Sequence, residues 1–207
     1  MRETRFIAFF LGVAFLVLPL VATAGSQCMD LNDYVYDLGT QKPKESTPVL
    51  KVGQEAPEFI LPAVGGGTIS LLQYKGKKNV VISFVPAAWT PVCSAQWPGY
   101  NLMEDVFDKN EATLIGITVD NIPTLYAWTK LMSKEGRLWF PVLSDFYPHG
   151  QVALKYGVLR DNGTSERAIF IIDKKGIIRY IDIHNINKRP PLEDLIEALE
   201  KVHKGAR

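Results

Sequence analysis

The sequence predicts an α/β domain in which helices flank a central mixed sheet. Two features carry this prediction. Residues 79–85 and 112–120 are short apolar runs rich in β-branched residues, a pattern typical of strands buried on both faces of a sheet. Helical segments alternate with such runs, and a hairpin followed by an amphipathic helix ends the chain.

The remaining elements follow from local signals at their ends. The first helix begins at Cys93 and runs to about Lys109, and we expect a kink near Pro98 because proline removes a helical hydrogen bond. Pro123 begins the next helix, which continues to about Glu135. The other expected elements are a glycine hairpin turn at 65–67, a strand at 140–144, a helix at 150–155, strands at 168–172 and 177–183 around the turn 173–176, and a helix at 192–203.

The composition excludes two classes of protein. A formal net charge of +1 lacks the basic excess of a nucleic-acid-binding protein, so we expect no nucleic-acid partner. A hydrophobic content of 47% excludes a disordered chain. The histidines, His149, His184 and His203, have no metal-ligand spacing to a cysteine or carboxylate, so we predict neither a metal nor a cofactor. For His149 we expect a structural hydrogen bond, the alternatives being the rim of a pocket or a dimer contact.

Residues 1–24 have the pattern of a signal peptide. Weakly basic residues precede the apolar run 6–21, and Ala22-Thr23-Ala24 supplies the small residues of a cleavage site. We therefore expect cleavage at this site and export, to the periplasm. Two alternatives are open. One is an uncleaved membrane anchor, for which the apolar run is short, and the other is lipidation of Cys28, which the preceding Gln27 does not favour.

Residues 25–48 are polar and rich in turn-forming residues, and we interpret them as an extended arm or linker. Tyr34 and Tyr36 are expected to dock this arm on the surface of the domain. A single domain follows at 49–207, since the chain after the leader is long enough for one domain with its own core.

One thiol occupies a special position in the chain. The sequence contains two cysteines, and Cys93 ends the segment 86–93, Pro-Ala-Ala-Trp-Thr-Pro-Val-Cys, between a predicted buried strand and the first turn of a predicted helix. The positive end of the helix dipole and the unpaired N–H groups there favour the thiolate, which is the nucleophilic form. The alternative is that Cys93 is a small buried hydrophobic residue.

Neighbours of Cys93 are candidates for shaping its reactivity. The Thr90 hydroxyl can point at the sulfur or at a substrate oxygen. Pro86 and Pro91 lack an N–H donor and stiffen the loop, and Pro86 is expected to shield the thiolate from bulk water. The segment therefore predicts a nucleophilic site built around one cysteine.

The spacing Pro-x-x-x-Thr-x-x-Cys of Pro86, Thr90 and Cys93 resembles the peroxidatic-cysteine motif of the peroxiredoxins, the alkyl hydroperoxide reductase and thiol-specific antioxidant family. The resemblance covers roughly Val49 to His203, and it implies a thioredoxin-like fold.

Two further segments refine the resemblance. Residues 166–173, Glu-Arg-Ala-Ile-Phe-Ile-Ile-Asp, resemble the strand that carries the family's active-site arginine, which maps to Arg167. Residues 144–150, Ser-Asp-Phe-Tyr-Pro-His-Gly, are similar to the one-Cys alkyl hydroperoxide reductase E type and the bacterioferritin-comigratory group. Gln96 departs from the family, many of whose members have Glu three residues after the cysteine, although Gln also accepts and donates hydrogen bonds.

The resemblance implies a thiol-dependent peroxidase. The Cys93 thiolate would attack hydrogen peroxide or an organic hydroperoxide and become a sulfenic acid. Thr90 and the Cys93 N–H would position the peroxide, while Arg167 would supply positive charge. The residues alone leave another interpretation of Arg167, as a cap on the sheet edge or as a partner of Glu166 or Asp145.

The resemblance also implies an external thiol reductant, either a thioredoxin-like protein or a low-molecular-weight thiol, and a homodimer. The alternative reductant is Cys28, through a disulfide with Cys93. Two other functions compete with the peroxidase. An exported thioredoxin-like thiol–disulfide oxidoreductase would need a Cys-x-x-Cys motif, whose second position is occupied by Gln96. A non-catalytic redox-sensing module would use the same activated thiolate.

Overall fold

The computed structural model describes residues 30–47, 49–133 and 135–205, so the predicted leader and Cys28 lie outside the described residues. The strands, in chain order, are β1 (Ile60–Pro62), β2 (Thr68–Ser70), β3 (Asn79–Phe84), β4 (Ala112–Thr118), β5 (Val142–Ser144), β6 (Arg167–Ile172) and β7 (Ile178–His184). The helices are α1 (Pro91–Asn101), α2 (Glu104–Lys109), α3 (Ile122–Lys130), α4 (Gln151–Lys155) and α5 (Leu192–Gly205), with short 3₁₀ helices at Leu31–Tyr34 and Leu71–Tyr74. Among the described residues, no helix is long and apolar enough to cross a membrane.

A five-stranded sheet with the order β5-β4-β3-β6-β7 forms the centre of the domain. β3 pairs in parallel with β4 and antiparallel with β6, which makes the sheet mixed. β5 continues the parallel half, and β7 returns from β6 as an antiparallel hairpin. β1 and β2 form a separate hairpin around the glycine turn 65–67. The predicted mixed sheet and both predicted hairpins are confirmed.

The central strand β3 is buried on both faces of the sheet, and each of its residues is buried. Val81 belongs to the apolar cluster that contains Trp97 of α1 and Leu199 of α5. Ile82, its neighbour, belongs to a second cluster that contains Tyr156, directly after α4. Each face of the sheet therefore carries a helical layer, which explains why the run at 79–85 lacks the alternation of a half-exposed strand.

The helix after β3 differs from its prediction. Pro98 lies within α1. The single helix expected to reach about Lys109 is divided at Leu102 and Met103 into α1 and α2. The carbonyl oxygen of Tyr100 accepts hydrogen bonds from the Met103 N–H at 3.0 Å and from the Trp139 indole N–H at 3.2 Å. These donors occupy the carbonyl that a continuous helix would pair with the N–H four residues later, so the helix ends there.

The helix expected to continue to about Glu135 ends at Lys130, as α3. Ser133 closes the turn that follows, because its hydroxyl donates to the Arg137 carbonyl at 2.6 Å and accepts from the Arg137 N–H at 3.0 Å. A continued helix would break this local pair of bonds. The ends of the other predicted strands and helices lie within two residues of the observed ends.

The described part of the predicted arm, residues 30–47, lies along the domain. The ring of Tyr34 packs edge-on against Trp89 with a centroid distance of 6.2 Å, which confirms that this tyrosine docks the arm. Tyr36 docks through its backbone, since its N–H donates to the Trp89 carbonyl at 2.7 Å while its side chain is exposed. The arm thus reaches the loop that leads into Cys93.

Candidate active site

The junction of β3 and α1 positions Cys93. Thr90 is the N-cap of α1 with an extended backbone, and Cys93 is the third residue of the helix. Cys93 is 1% exposed and its thiol is free. Cys93 therefore lies among the N–H groups of a first helical turn, which lack partners within the helix. The prediction that Cys93 lies in a first helical turn is confirmed.

Arg167, the first residue of β6, directs its guanidinium at the sulfur. Its Nη2 donates to Cys93 Sγ at 3.4 Å. The carbonyl of Ile186 accepts from Arg167 Nε at 3.2 Å and from Nη2 at 3.1 Å, and the Gln96 side chain accepts from Nη1. The guanidinium is therefore fixed on three sides, and its charge is held beside the thiol.

The other interpretation of Arg167, as a partner of Glu166 or Asp145, is wrong. The Glu166 carboxylate accepts from Arg160 Nη1 at 2.7 Å. Asp145 accepts from the N–H groups of Val152 and Ala153 at 3.0 and 2.8 Å, which caps α4. Both carboxylates already have partners elsewhere, so neither competes with Cys93 for Arg167.

Gln96 lies one turn after Cys93 and connects the arginine to the core. Its carbonyl oxygen accepts from Arg167, and its amide nitrogen donates to Ser83 Oγ at 3.3 Å and to the Tyr100 hydroxyl at 3.1 Å. Burial raises the pKa of Tyr100 far above its usual value, so the phenol stays neutral. Because Gln96 is also neutral, this network holds Arg167 without cancelling its charge.

The Thr90 hydroxyl does not donate to the sulfur, contrary to one of the two expected orientations. Its Oγ1 donates to the Ala87 carbonyl at 3.0 Å. Thr90 still lines the pocket beside Cys93. With its proton engaged by Ala87, the hydroxyl oxygen can accept a hydrogen bond from a group in that pocket.

The loop between β3 and α1 is fixed by a residue that the sequence analysis missed. Asp120, after β4, accepts from the Ala88 N–H at 2.8 Å through its carboxylate. Trp89 has a φ of 61°, a left-handed conformation that is uncommon for residues other than glycine. Pro86, at the start of the loop, is buried and lines the pocket. The parallel strand β4 thus holds the loop in a shape that the chain would rarely adopt alone.

A pocket of about 300 Å³ opens beside Cys93, and the four predicted site residues, Pro86, Thr90, Cys93 and Arg167, all line it. Its other lining residues are Pro91 and Val92 of the loop, Ile186 and Asn187 after β7, and residues 37–41 of the arm. Sequence reasoning did not place Ile186, Asn187 or residues 37–41 at this pocket. The one available signal was the pair of asparagines, Asn185 and Asn187, directly after the predicted last strand.

The histidines lie outside this pocket. His149 is exposed, and its Nε2 is 2.7 Å from the Gly163 carbonyl, which confirms the expected structural hydrogen bond. His184 Nδ1 lies 3.2 Å from the Asp182 carboxylate. In the part of the chain that the structure describes, no group of three or more histidine, cysteine, aspartate or glutamate side chains could hold a metal ion.

Comparison with known proteins finds relatives over most of the domain. Residues 52–181 match the family described as the AhpC/TSA family. The chain is 33% identical over 136 residues to alkyl hydroperoxide reductase E of Mycobacterium tuberculosis, an alignment that covers 65% of this chain and 86% of that relative. It is 35% identical over 161 residues to peroxiredoxin TSA1 of Saccharomyces cerevisiae, covering 74% of this chain and 79% of the relative.

Solved structures share the same architecture. The reduced 2-Cys peroxiredoxin of Plasmodium vivax superposes with a TM-score of 0.69 at 28% identity, covering 75% of this chain and 83% of that one. AhpC of Mycobacterium bovis gives a TM-score of 0.70 at 22% identity, covering 77% and 96% of the two chains. These likenesses confirm the fold class predicted from the sequence.

Proposed function

Because this chain belongs to the AhpC/TSA family and is a thiol-dependent peroxidase, we propose that Cys93 is its peroxidatic residue and that its substrates are hydrogen peroxide or organic hydroperoxides. The observation that carries this proposal is the 3.4 Å contact between Arg167 Nη2 and Cys93 Sγ at the wall of a pocket. A buried guanidinium and a helix N-terminus at one sulfur favour its reactive thiolate.

The chemical step follows from this geometry. The Cys93 thiolate attacks one oxygen of the peroxide, the O–O bond breaks, and the second oxygen leaves with the bonding electrons. That oxygen takes up a proton and departs as water or an alcohol, while Cys93 becomes a sulfenic acid. Arg167 and the N–H groups of the first turn of α1 stabilise the charge that develops on the oxygens.

Thr90 and Pro86 prepare the pocket for this step. Since the Thr90 proton is engaged by Ala87, the Thr90 oxygen accepts a hydrogen bond from the peroxide O–H and orients it. Pro86 is buried beside the sulfur and offers no N–H, so it limits the water that could solvate the thiolate.

The sulfenic acid is then reduced by an external thiol, either a thioredoxin-like protein or a low-molecular-weight thiol. That thiol forms a mixed disulfide with Cys93 and releases water, and a second thiol frees Cys93. In this proposal the protein is exported after cleavage of residues 1–24 and acts as a homodimer. N-terminal sequencing of the mature protein and sedimentation of the reduced protein test these two parts directly.

The experiment that tests the function is stopped-flow tryptophan fluorescence of the reduced protein mixed with hydrogen peroxide, followed by intact mass. Trp89 lies four residues before Cys93 and reports on the loop. We expect a fast second-order phase that ends with the gain of one oxygen atom, and its complete loss in Cys93→Ser.

The other outcomes are equally informative. A fast phase that ends with the loss of two hydrogen atoms would identify Cys28 as a resolving cysteine in place of an external thiol. A reaction no faster than that of a free thiol would overturn the proposed role of Cys93. Rapid oxidation of Cys93 without turnover by any thiol reductant would favour the redox-sensing alternative.

A further inference from the structure

The arm is fixed at both ends of the segment 37–40, which passes over the pocket. Before this segment, the Tyr36 N–H donates to the Trp89 carbonyl at 2.7 Å. After it, the Gln41 N–H donates to Asn187 Oδ1 at 2.8 Å, and Asn187 Nδ2 donates to the Gln41 carbonyl at 2.8 Å. Reciprocal bonds from one side chain to one backbone unit fix both the position and the direction of the arm.

A buried ion pair holds the arm further along. Glu166 is completely buried, and besides Arg160 its carboxylate accepts the N–H groups of Glu45 and Ser46 at 2.6 and 2.7 Å. Arg160 Nη2 donates to the Lys42 carbonyl at 3.0 Å. Charge-assisted bonds of this kind are stronger than those between neutral groups, so the arm is a fixed part of the domain.

The pocket beneath the arm is larger than hydrogen peroxide requires. Its volume is about 300 Å³. A water molecule in the liquid occupies about 30 Å³, so a molecule with only two oxygen atoms would leave most of the pocket unfilled. Besides the polar groups near Cys93, the lining includes the apolar side chains of Leu38, Pro91, Val92 and Ile186. Pockets of this composition bind molecules with a hydrocarbon part.

From these contacts we infer that Leu38, on the arm, is a specificity-determining residue that contacts the organic group of a hydroperoxide while the O–O bond lies at Cys93. This inference rests on the proposed function. The arm precedes the segment 52–181 that matches the family, so this wall of the pocket is supplied by residues outside the matched domain. Leu38 is 53% exposed, as expected for a side chain that borders an open pocket instead of filling the core.

The test compares the second-order rate constants of Cys93 oxidation by cumene hydroperoxide and by hydrogen peroxide, measured by stopped flow without any reductant. In Leu38→Ser we expect the ratio of the two constants to fall by about tenfold, as for the loss of apolar contact in a substrate pocket. Asn187→Ala, which removes both bonds to Gln41, is expected to lower the same ratio by releasing the arm.

Leu72→Ser is the matched control, because Leu72 is similarly exposed at 57% and lies before the amino end of β3, away from the pocket. An unchanged ratio in Leu38→Ser would overturn the inference. It would also be overturned if the unmodified protein reacted rapidly with hydrogen peroxide but no faster than a free thiol with cumene hydroperoxide. Failure to react rapidly with either peroxide would instead overturn the proposed function.

Discussion

Arg167 and Cys93 are 74 residues apart in the chain, yet Arg167 Nη2 lies 3.4 Å from Cys93 Sγ. The sheet explains this contact. β3 and β6 are antiparallel neighbours with Phe84 opposite Ala168, so Arg167 lies at the edge of the sheet where β3 ends and the loop to Cys93 begins. The charge beside the sulfur is therefore fixed by strand pairing, which is among the most rigid parts of the fold.

Replacing Arg167 with Lys keeps a positive charge but removes the planar fork that bonds Cys93, Gln96 and Ile186 together. We expect the rate constant for Cys93 oxidation by hydrogen peroxide to fall on the order of 10²–10³-fold, as when one donor to a developing oxyanion is removed. Stopped-flow fluorescence measures it. Arg179→Lys, on β7 beside Asp173, is the control and should react like the unmodified protein. Equal rates in the two variants would contradict a role for the guanidinium.

Gln96→Glu tests whether a neutral partner keeps the Arg167 charge available to the sulfur. A carboxylate at this position would pair with Arg167 and weaken its attraction for the thiolate. We expect oxidation of Cys93 to slow on the order of tenfold, about what one nearby opposing charge produces. Tyr100→Phe removes only the hydroxyl that Gln96 also bonds, and it should leave the rate unchanged. If Tyr100→Phe slowed the reaction as much as Gln96→Glu, the slowing would come from disturbed packing around Gln96 and not from the added charge.

Glu166→Gln tests the buried ion pair that anchors the arm. The change leaves Arg160 without its closest carboxylate in a fully buried site, so we expect a loss of about 3–5 kcal/mol in the free energy of unfolding. Urea titration measures this loss, and trypsin cleavage after Lys44 reports release of the arm, since Lys42 precedes Pro43 and resists trypsin. The exposed pair Glu197–Lys201 provides the control, since Glu197→Gln should change neither measurement. Unchanged trypsin cleavage in Glu166→Gln would show that the arm has other sufficient anchors.

The lowered pKa of Asp173 predicts that the free energy of unfolding depends on pH. Burial opposes its ionisation, but bonds from the Ile177 N–H and the Arg179 side chain outweigh burial and hold its pKa below the usual value of 3.8. The unfolded chain therefore binds the proton more tightly than the folded one. The stabilisation is present above the unfolded pKa and is lost as the pH falls through the folded pKa.

Asp173→Asn should accordingly lower the free energy of unfolding at pH 7, on the order of 1–3 kcal/mol for charge-assisted bonds. The difference from the unmodified protein should shrink as the pH falls below the usual carboxyl range. Urea titrations at a series of pH values measure both quantities. A difference that stayed constant down to low pH would mean that the Asp173 charge contributes nothing.

Local sequence patterns were sufficient to predict those parts of the site whose residues lie close together in the chain. The buried run at 79–85 and the spacing of Pro86, Thr90 and Cys93 predicted the strand, the loop and the first helical turn. Arg167 could be assigned only through the family resemblance, because nothing within β6 indicates which strand lies beside it.

Contacts made through the backbone could not be predicted. Gln41 and Asn187 are 146 residues apart, and Gln41 contributes its N–H and carbonyl, which every residue type except proline carries. The end of α1 likewise depends on the Trp139 indole, a donor 39 residues from the Tyr100 carbonyl that it bonds. Long-range bonds of this kind leave no periodicity or spacing in the sequence.

The near-complete enclosure of Cys93 has a consequence for the second half of the reaction. A thiol that recycles the sulfenic acid must bring its own sulfur within about 2 Å of this one. Cys93 is only 1% exposed, and the pocket beside it, at about 300 Å³, has room for a small molecule but not for a protein, so the walls must move apart before a thioredoxin-like reductant can form that bond. With a protein reductant, how often these walls open then sets an upper limit on turnover, however fast the peroxide reacts.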